Sequence, residues 1–226
     1  MKLIIFDCDG TLVDSQHAIV AAMEQAFARH GLPAPVRSDV IGVVGLSLSP
    51  AIQRLLPTMR GAFIDEVADS YKQAFADLRR RPEHHEPLFP LAGEALAALA
   101  AEPDTLLGIA TGKSRRGVDA VIEREGFHGL FATIQTADDN PSKPDPEMLL
   151  RAMRETGARS RDTVMIGDTT FDMEMARAAG TRALGVCWGY HPPELLVRAG
   201  AHDMIDGYEH LPAALARLLP AREATP

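Results

Sequence analysis

At 226 residues with 46% hydrophobic side chains, the chain is long enough to bury a core of its own, as one large domain or as one domain carrying an insert. A formal net charge of −8 and a pI near 5.5 argue against a nucleic acid or an anionic membrane as partner, since both call for a basic face. Cys8 and Cys187, each in or beside an apolar run, make no disulfide framework, and no apolar run reaches the length of a signal-peptide core or a membrane span, so a cytoplasmic protein is expected.

Leu3-Ile4-Ile5-Phe6 is a continuous apolar run closed by Asp7-Cys8-Asp9-Gly10. Such a run predicts a buried parallel strand that hands its carboxyl end to a loop, where open α/β sheets place their ligands. If the backbone stays extended to Asp9, the two-residue period sends Asp7 and Asp9 to one side, with Cα atoms roughly 6–7 Å apart, and Cys8 to the other. At ~4 Å and an effective dielectric of about 20, two such charges repel by about 4 kcal/mol, so the pair calls for a cation, a shared proton or both. A helix-capping turn is the plainer use of an acidic pair after a strand.

Residues 14 to 88 follow a helical pattern. Ala18, Ile19, Ala22, Met23, Ala26 and Phe27 form one apolar face up to Gly31-Leu32-Pro33, Ile52, Leu55 and Leu56 a second, and Phe63, Val67, Tyr71, Ala74, Phe75 and Leu78 a third. A small helical bundle is therefore expected at residues 14–88, inserted into a core domain made of residues 1–13 and 89–226. Between its helices, Gly42-Val43-Val44-Gly45-Leu46-Ser47 is either a loop that reaches a pocket or a plain glycine-rich connection. Arg79-Arg80-Arg81 suits the carbonyl end of a helix as a solvated terminus. Glu83-His84-His85-Glu86, between prolines, reads as a polar linker rather than a metal site.

From Leu91 onward helix and strand alternate: helix Leu91–Ala101, strand Leu106–Ala110, helix Arg115–Glu125, strand Thr133–Thr136, helix Pro146–Glu155, strand Val164–Ile166, helix Phe171–Ala179, strand Ala183–Val186, and a shorter pair ending near Leu219, with a frayed tail from Pro220. Such alternation means an α/β fold with a doubly wound parallel sheet. The strand ends carry the polar chemistry. Thr111-Gly112 closes one strand with a hydroxyl and free N–H groups able to hold a phosphoryl oxygen, or makes a simple turn and cap. Lys143, between Pro141 and Pro144, is a cation on a restrained backbone that can offset several negative charges. Gly167-Asp168 repeats the strand–carboxylate design, and Asp172 falls in the first turn of the next helix if Thr169 or Thr170 opens it. Asp168 alone would serve as a cap; four carboxylates together are hard oxygen ligands suited to Mg²⁺.

These pieces, in this order, resemble the haloacid dehalogenase superfamily of phosphotransferases. The matching motifs are Asp7-x-Asp9-Gly10-Thr11-Leu12-Val13, Thr111-Gly112, Lys143-Pro144 and Gly167-Asp168-Thr169-x-x-Asp172, spread over most of the chain. The resemblance implies a Rossmann-like core with residues 14–88 as a helical cap over the site. It implies Asp7 as nucleophile forming an aspartyl-phosphate and Asp9 as general acid, then base. Thr111, Gly112 and Lys143 would hold the phosphoryl group. Asp7, the backbone carbonyl of Asp9, and Asp168 would ligate Mg²⁺, with Asp172 bound directly or through water. The proton transfers of Asp9 ask for a raised pKa, which a crowd of neighbouring carboxylates would supply.

In cap position and motif wording the chain is most similar to phosphoglycolate phosphatases, so a small phosphorylated metabolite is the expected partner and a monomer or homodimer the expected state. A hexose-phosphate mutase of the beta-phosphoglucomutase kind is the alternative; that branch carries a cap histidine from which His17 is shifted by two positions. A dehalogenase lacks the counterpart of Asp9. A phosphonatase needs a Schiff-base lysine in the cap, where Lys72 is the only lysine and has surface spacing. A binding protein on an inactive scaffold fits poorly with the complete set of motif residues. Asp145 departs from the family, standing where relatives often have histidine, and Trp188-Gly189-Tyr190-His191 either rims the pocket or packs.

Overall fold

The structure, a computed structural model, describes residues 1–81 and 85–219. The tail from Pro220 and the Glu83-His84 half of the proposed linker lie outside the described residues. Six strands form one parallel sheet: β1 (Lys2–Phe6), β2 (Thr105–Thr111), β3 (Thr133–Thr136), β4 (Thr163–Gly167), β5 (Arg182–Val186) and β6 (Asp203–Ile205), in the order β3-β2-β1-β4-β5-β6. The doubly wound sheet expected from the alternation is present.

The central strands β1 and β4 read as nearly unbroken apolar runs because both faces are covered. Ile4 and Phe6 of β1 enter one layer with α5 (Ala92–Ala100), α6 (Arg115–Glu125) and α10 (Leu211–Leu218), through Leu96, Val121 and Leu215. Leu3 and Ile5 enter the other with α7 (Glu147–Thr156), α8 (Thr170–Ala178) and α9 (Pro193–Arg198), through Leu149, Met173 and Leu196. The six residues of α9 are too few to show a full helical period, and no separate helix is expected there from sequence; its start is set by Pro193 in the first turn.

A further apolar cluster joins α1 (Gln16–Arg29), α2 (Arg37–Ile41), α3 (Leu48–Leu55) and α4 (Ala62–Leu78) through Met23, Phe27, Val40, Ile52, Ile64 and Val67. The five-residue α2, unexpected from sequence, is held by the burial of Val40 and not by a side-chain cap. Among the described residues no helix is long and apolar enough to cross a membrane.

Register positions the site. Phe6 pairs with Ile109 on one side and Ile166 on the other, so β1, β2 and β4 finish together. β1 is also where the sheet reverses its direction of growth, the crevice in which doubly wound folds bind ligands.

Candidate active site

Asp7 follows β1 directly, its N–H still in the sheet through a 2.9 Å bond to the Ile166 carbonyl. Its Oδ1 accepts the Cys8 N–H at 2.7 Å, while its buried Oδ2 faces the Lys143 ammonium at 3.0 Å. Asp168 accepts from the Thr11 hydroxyl at 2.8 Å and the Tyr190 N–H at 2.9 Å. Asp172 accepts from Lys143 Nζ at 2.6 Å and from the N–H and hydroxyl of Thr169 at 3.0 and 2.7 Å. Thr169 is the N-cap of α8 and Asp172 completes a capping box with it, so the capping use considered for Asp168 belongs to Asp172.

Carboxylate oxygens of Asp7, Asp168 and Asp172 lie within 4.8 Å of one another, all buried, beside one ammonium that is 1% exposed. Burial pushes the Asp7 carboxyl up to about 7, with Lys143 pulling it down and Asp172 pushing it further up. Burial, then Asp172 and Asp7, raise Asp168 well above the usual carboxylate range. Lys143 is raised against its own burial by Asp172 and Asp7. Three carboxylates and one ammonium leave an excess of negative charge, and the three oxygens lie close enough together to share an ion, so this set fits a hard divalent cation.

Gly10 lets the backbone come this close. It has φ +83°, and a Cβ on it would lie 2.2 Å from Asp168 Oδ2. Gly10→Ala is expected to cost about 1–2 kcal/mol in backbone strain alone, a fall of roughly 2–8 °C in Tm, with loss of any cation-induced stabilisation because Asp168 is displaced. Thermal melts with and without Mg²⁺ check both effects.

Asp9 lines the same cavity as Asp7, Thr111 and Gly112, while Cys8 enters the opposite layer beside Phe6, as an extended backbone requires. Its neighbours differ from those expected. Asp9 Oδ1 accepts from the Ser15 hydroxyl at 2.5 Å and Lys113 Nζ at 2.6 Å, so the expected carboxylates crowd Asp7 instead. Thr111, buried at the end of β2, accepts the Lys113 N–H at 3.2 Å and its hydroxyl helps to keep Asp7 ionised.

Lys113 is a residue that sequence reasoning passed over, and Glu86 one that it placed in a polar linker. Lys113 Nζ also reaches Glu86 Oε1 at 3.0 Å, and Glu86 pairs with Arg79 at 2.9 Å and has its carbonyl held by Arg124 at 2.6 Å. Glu86, read from sequence as part of a polar linker, is 2% exposed, and Arg79, read as part of a solvated helix terminus, is a half-buried ion-pair partner. Lys113 adjoins Thr111-Gly112 and was within reach of a motif-based search; Glu86 carries no local signal, because what buries it comes from α4 and α6. Thr11, Ser15 and Tyr190 also emerge only in three dimensions. The Tyr190 hydroxyl accepts the Ser15 N–H at 3.0 Å and the Trp188 indole donates to the Thr11 carbonyl at 3.2 Å, so the Trp188–His191 segment both packs and supports the site.

The Gly42–Ser47 segment reaches the pocket. Val43 through Ser47 line a cavity of about 580 Å³ shared with Asp7 and Asp9. The Ser47 N–H donates to the Ser142 hydroxyl at 2.9 Å, and a Cβ on Gly112 would lie 2.6 Å from the Gly45 and Leu46 carbonyl oxygens, so only glycine permits this approach. His17 is exposed, Lys72 is exposed and paired with Asp69 at 2.9 Å, and Asp145 is exposed and accepts the Glu147 N–H at 2.9 Å at the start of α7.

Residues 4–186 match the family described as haloacid dehalogenase-like hydrolases. Among curated relatives, the probable phosphatase IndB of Dickeya dadantii is 34% identical over 220 residues, covering 96% of this chain and 94% of that protein. The N-acetylmuramic acid 6-phosphate phosphatase of Pseudomonas aeruginosa is 32% identical over 235 residues, covering 97% and 96%. The plasmid-encoded phosphoglycolate phosphatase of Cupriavidus necator is 31% identical over 224 residues, covering 96% and 95%. With kinship of that extent, and with the family's motif residues drawn to one edge of its sheet, the chain belongs to the haloacid dehalogenase-like hydrolases, in a phosphoglycolate-phosphatase-like branch, and is a phosphoric monoester hydrolase.

Proposed function

We propose that the chain hydrolyses a small phosphomonoester with the help of Mg²⁺, through a phosphoryl group carried on Asp7. The observation that carries this reading is the cluster of buried Asp7, Asp168 and Asp172 oxygens within 4.8 Å of one another, with Lys143 as the ammonium against them. When bound, Mg²⁺ would offset the charge of the carboxylates and of the phosphoryl oxygens. Asp7, the carbonyl of Asp9, and Asp168 would hold it, with Asp172 contributing directly or through water.

An ionised Asp7 attacks phosphorus without prior activation, and the ester P–O bond breaks as the Asp7–phosphoryl bond forms. Charge spreads over the equatorial oxygens, where Lys143, the Thr111 hydroxyl and the Gly112 N–H stabilise it. Asp9 gives its proton to the departing alkoxide. It then takes a proton from the water that displaces Asp7 and releases inorganic phosphate. Residues 14–88 form the cap and residues 1–13 and 89–226 the core, a division supported by the separate apolar cluster of α1–α4 and by the Gly42–Ser47 loop over the cavity. The exposure of His17 weighs against the mutase alternative.

Two measurements test the reading. In Asp9→Asn, turnover is expected to fall by roughly 10²–10⁴-fold, with at most slow formation of a phosphoenzyme that intact-mass measurement detects; near-normal turnover would remove Asp9 from its role. Chelation is expected to silence the enzyme and Mg²⁺ to restore it. The same cation should raise Tm more at pH 7.5 than at pH 5. Asp7 is pushed from its ordinary 3.8 to about 7 in the fold, so between those values the folded protein holds a proton that the unfolded chain has lost. Cation-free stability therefore falls as pH rises through that window, and the cation offsets the loss. Activity that survives thorough chelation would remove the metal.

A further inference from the structure

We infer that the cavity beside Asp7 takes a phosphomonoester with a large leaving group that bears a second anion, bound by Arg116; this rests on the phosphatase reading and narrows it. The volume of about 580 Å³ lies well inside the range of about 300–1,000 Å³ in which sites enclose drug-sized ligands. Phosphoglycolate, with two carbons, would leave most of it to water. Away from the carboxylates the wall is apolar: Ile19 and Met23 of α1, Val40 of α2, Val44 of the loop, and Tyr71 and Phe75 of α4. Such a wall contributes little to binding a short hydrated acid and much to binding a ring or an acyl substituent.

The cations on the wall are Lys72, Arg79, Lys113 and Arg116. Lys72 is paired with Asp69, Arg79 with Glu86, and Lys113 with Asp9 and Glu86. Arg116 has no ion-pair or hydrogen-bond partner among the described residues. It stands in the first turn of α6, where the helix dipole disfavours a cation. Its neighbour Arg115 is compensated there by Asp119 at 2.8 Å and by Asp138, which accepts its N–H at 2.7 Å; Arg116 is not. An exposed guanidinium set against the helix dipole, without a partner among the described residues and on the wall of the substrate cavity, is fitted to a carboxylate or a second phosphate on the substrate.

The test measures kcat/KM of the full chain with Mg²⁺ for p-nitrophenyl phosphate, phosphoglycolate, a hexose 6-phosphate, the hexonate 6-phosphate of equal size and the hexose 1,6-bisphosphate, in wild type, Arg116→Ala and Arg116→Lys. Either doubly anionic hexose ester is expected to exceed the neutral one by roughly 10- to 100-fold, the effect of one charge-assisted contact, and which of them does so separates carboxylate from phosphate. Size should place that ester above phosphoglycolate, which carries a carboxylate of its own but only two carbons. Arg116→Ala should bring the anionic-to-neutral ratio towards one and Arg116→Lys should restore part of it. A ratio near one in wild type, or one that survives Arg116→Ala, overturns the anion site. Phosphoglycolate turning over faster than every hexose ester overturns the large leaving group. Hydrolysis of p-nitrophenyl phosphate alongside either outcome leaves the phosphatase reading standing, whereas no turnover of any ester removes both.

Discussion

Asp7→Asn is expected to lower turnover by roughly 10⁴-fold or more, the scale on which removal of a covalent nucleophile acts. The amide keeps the shape of the side chain and cannot attack phosphorus as an anion. The same substitution should leave the cation-free protein at least as heat-stable as wild type near pH 8. Asp7 is a buried carboxyl pushed up to about 7, so at that pH its ionised form is a burden on the fold, which the neutral amide lifts. Activity and Tm therefore move independently or in opposite directions, which separates loss of chemistry from loss of structure. Turnover within tenfold of wild type would remove Asp7 from the mechanism.

Lys143→Met is expected to have the largest effect on stability. Lys143 is 1% exposed and its ammonium lies 2.6 Å from Asp172 and 3.0 Å from Asp7. Truncating one partner of such a set leaves the others buried without compensation, at about 3–5 kcal/mol, or roughly 6–20 °C in Tm for a domain of this size. Added Mg²⁺ should recover part of that loss, because a cation among Asp7, Asp168 and Asp172 answers the same excess of negative charge. Turnover should fall as well, since the methionine offers no donor to the phosphoryl oxygens. A melting temperature unchanged in the absence of cation would mean that the carboxylates do not depend on Lys143.

Much of this arrangement is written locally. β1 and β4 are apolar on both faces and end in Gly or Asp, so their strand character and the direction of their ends follow from a handful of consecutive residues. The helices from α5 to α8 fall within two residues of the periodic pattern because each has an apolar face, and α6, α7 and α8 also have a side-chain cap or a glycine stop, as with Ser114 and Gly126 around α6. Asp7, Asp168 and Asp172 were legible for the same reason, since each closely follows a strand end, whereas Lys143 was marked by the prolines that flank it. What was not legible depends on contacts between distant segments. Glu86 lies between His85 and Pro87 with nothing near it in sequence to forecast burial, and the neighbours of Asp9 are fixed by Lys113, more than a hundred residues away. The short helices α2 and α9 owe their existence to what packs on them rather than to their own pattern.

The pairing of Glu86 with Lys113 sets a rule for anyone building chimaeras from this scaffold. Glu86 lies in the connector between α4 and α5, while Lys113 belongs to the sheet side and grips Asp9. Swapping in the helices of a relative while cutting ahead of residue 86 retains that counter-charge; cutting behind it strips an enclosed lysine of one of its two acids. The safe splice is therefore decided by electrostatics at the seam, not by where the last helix stops.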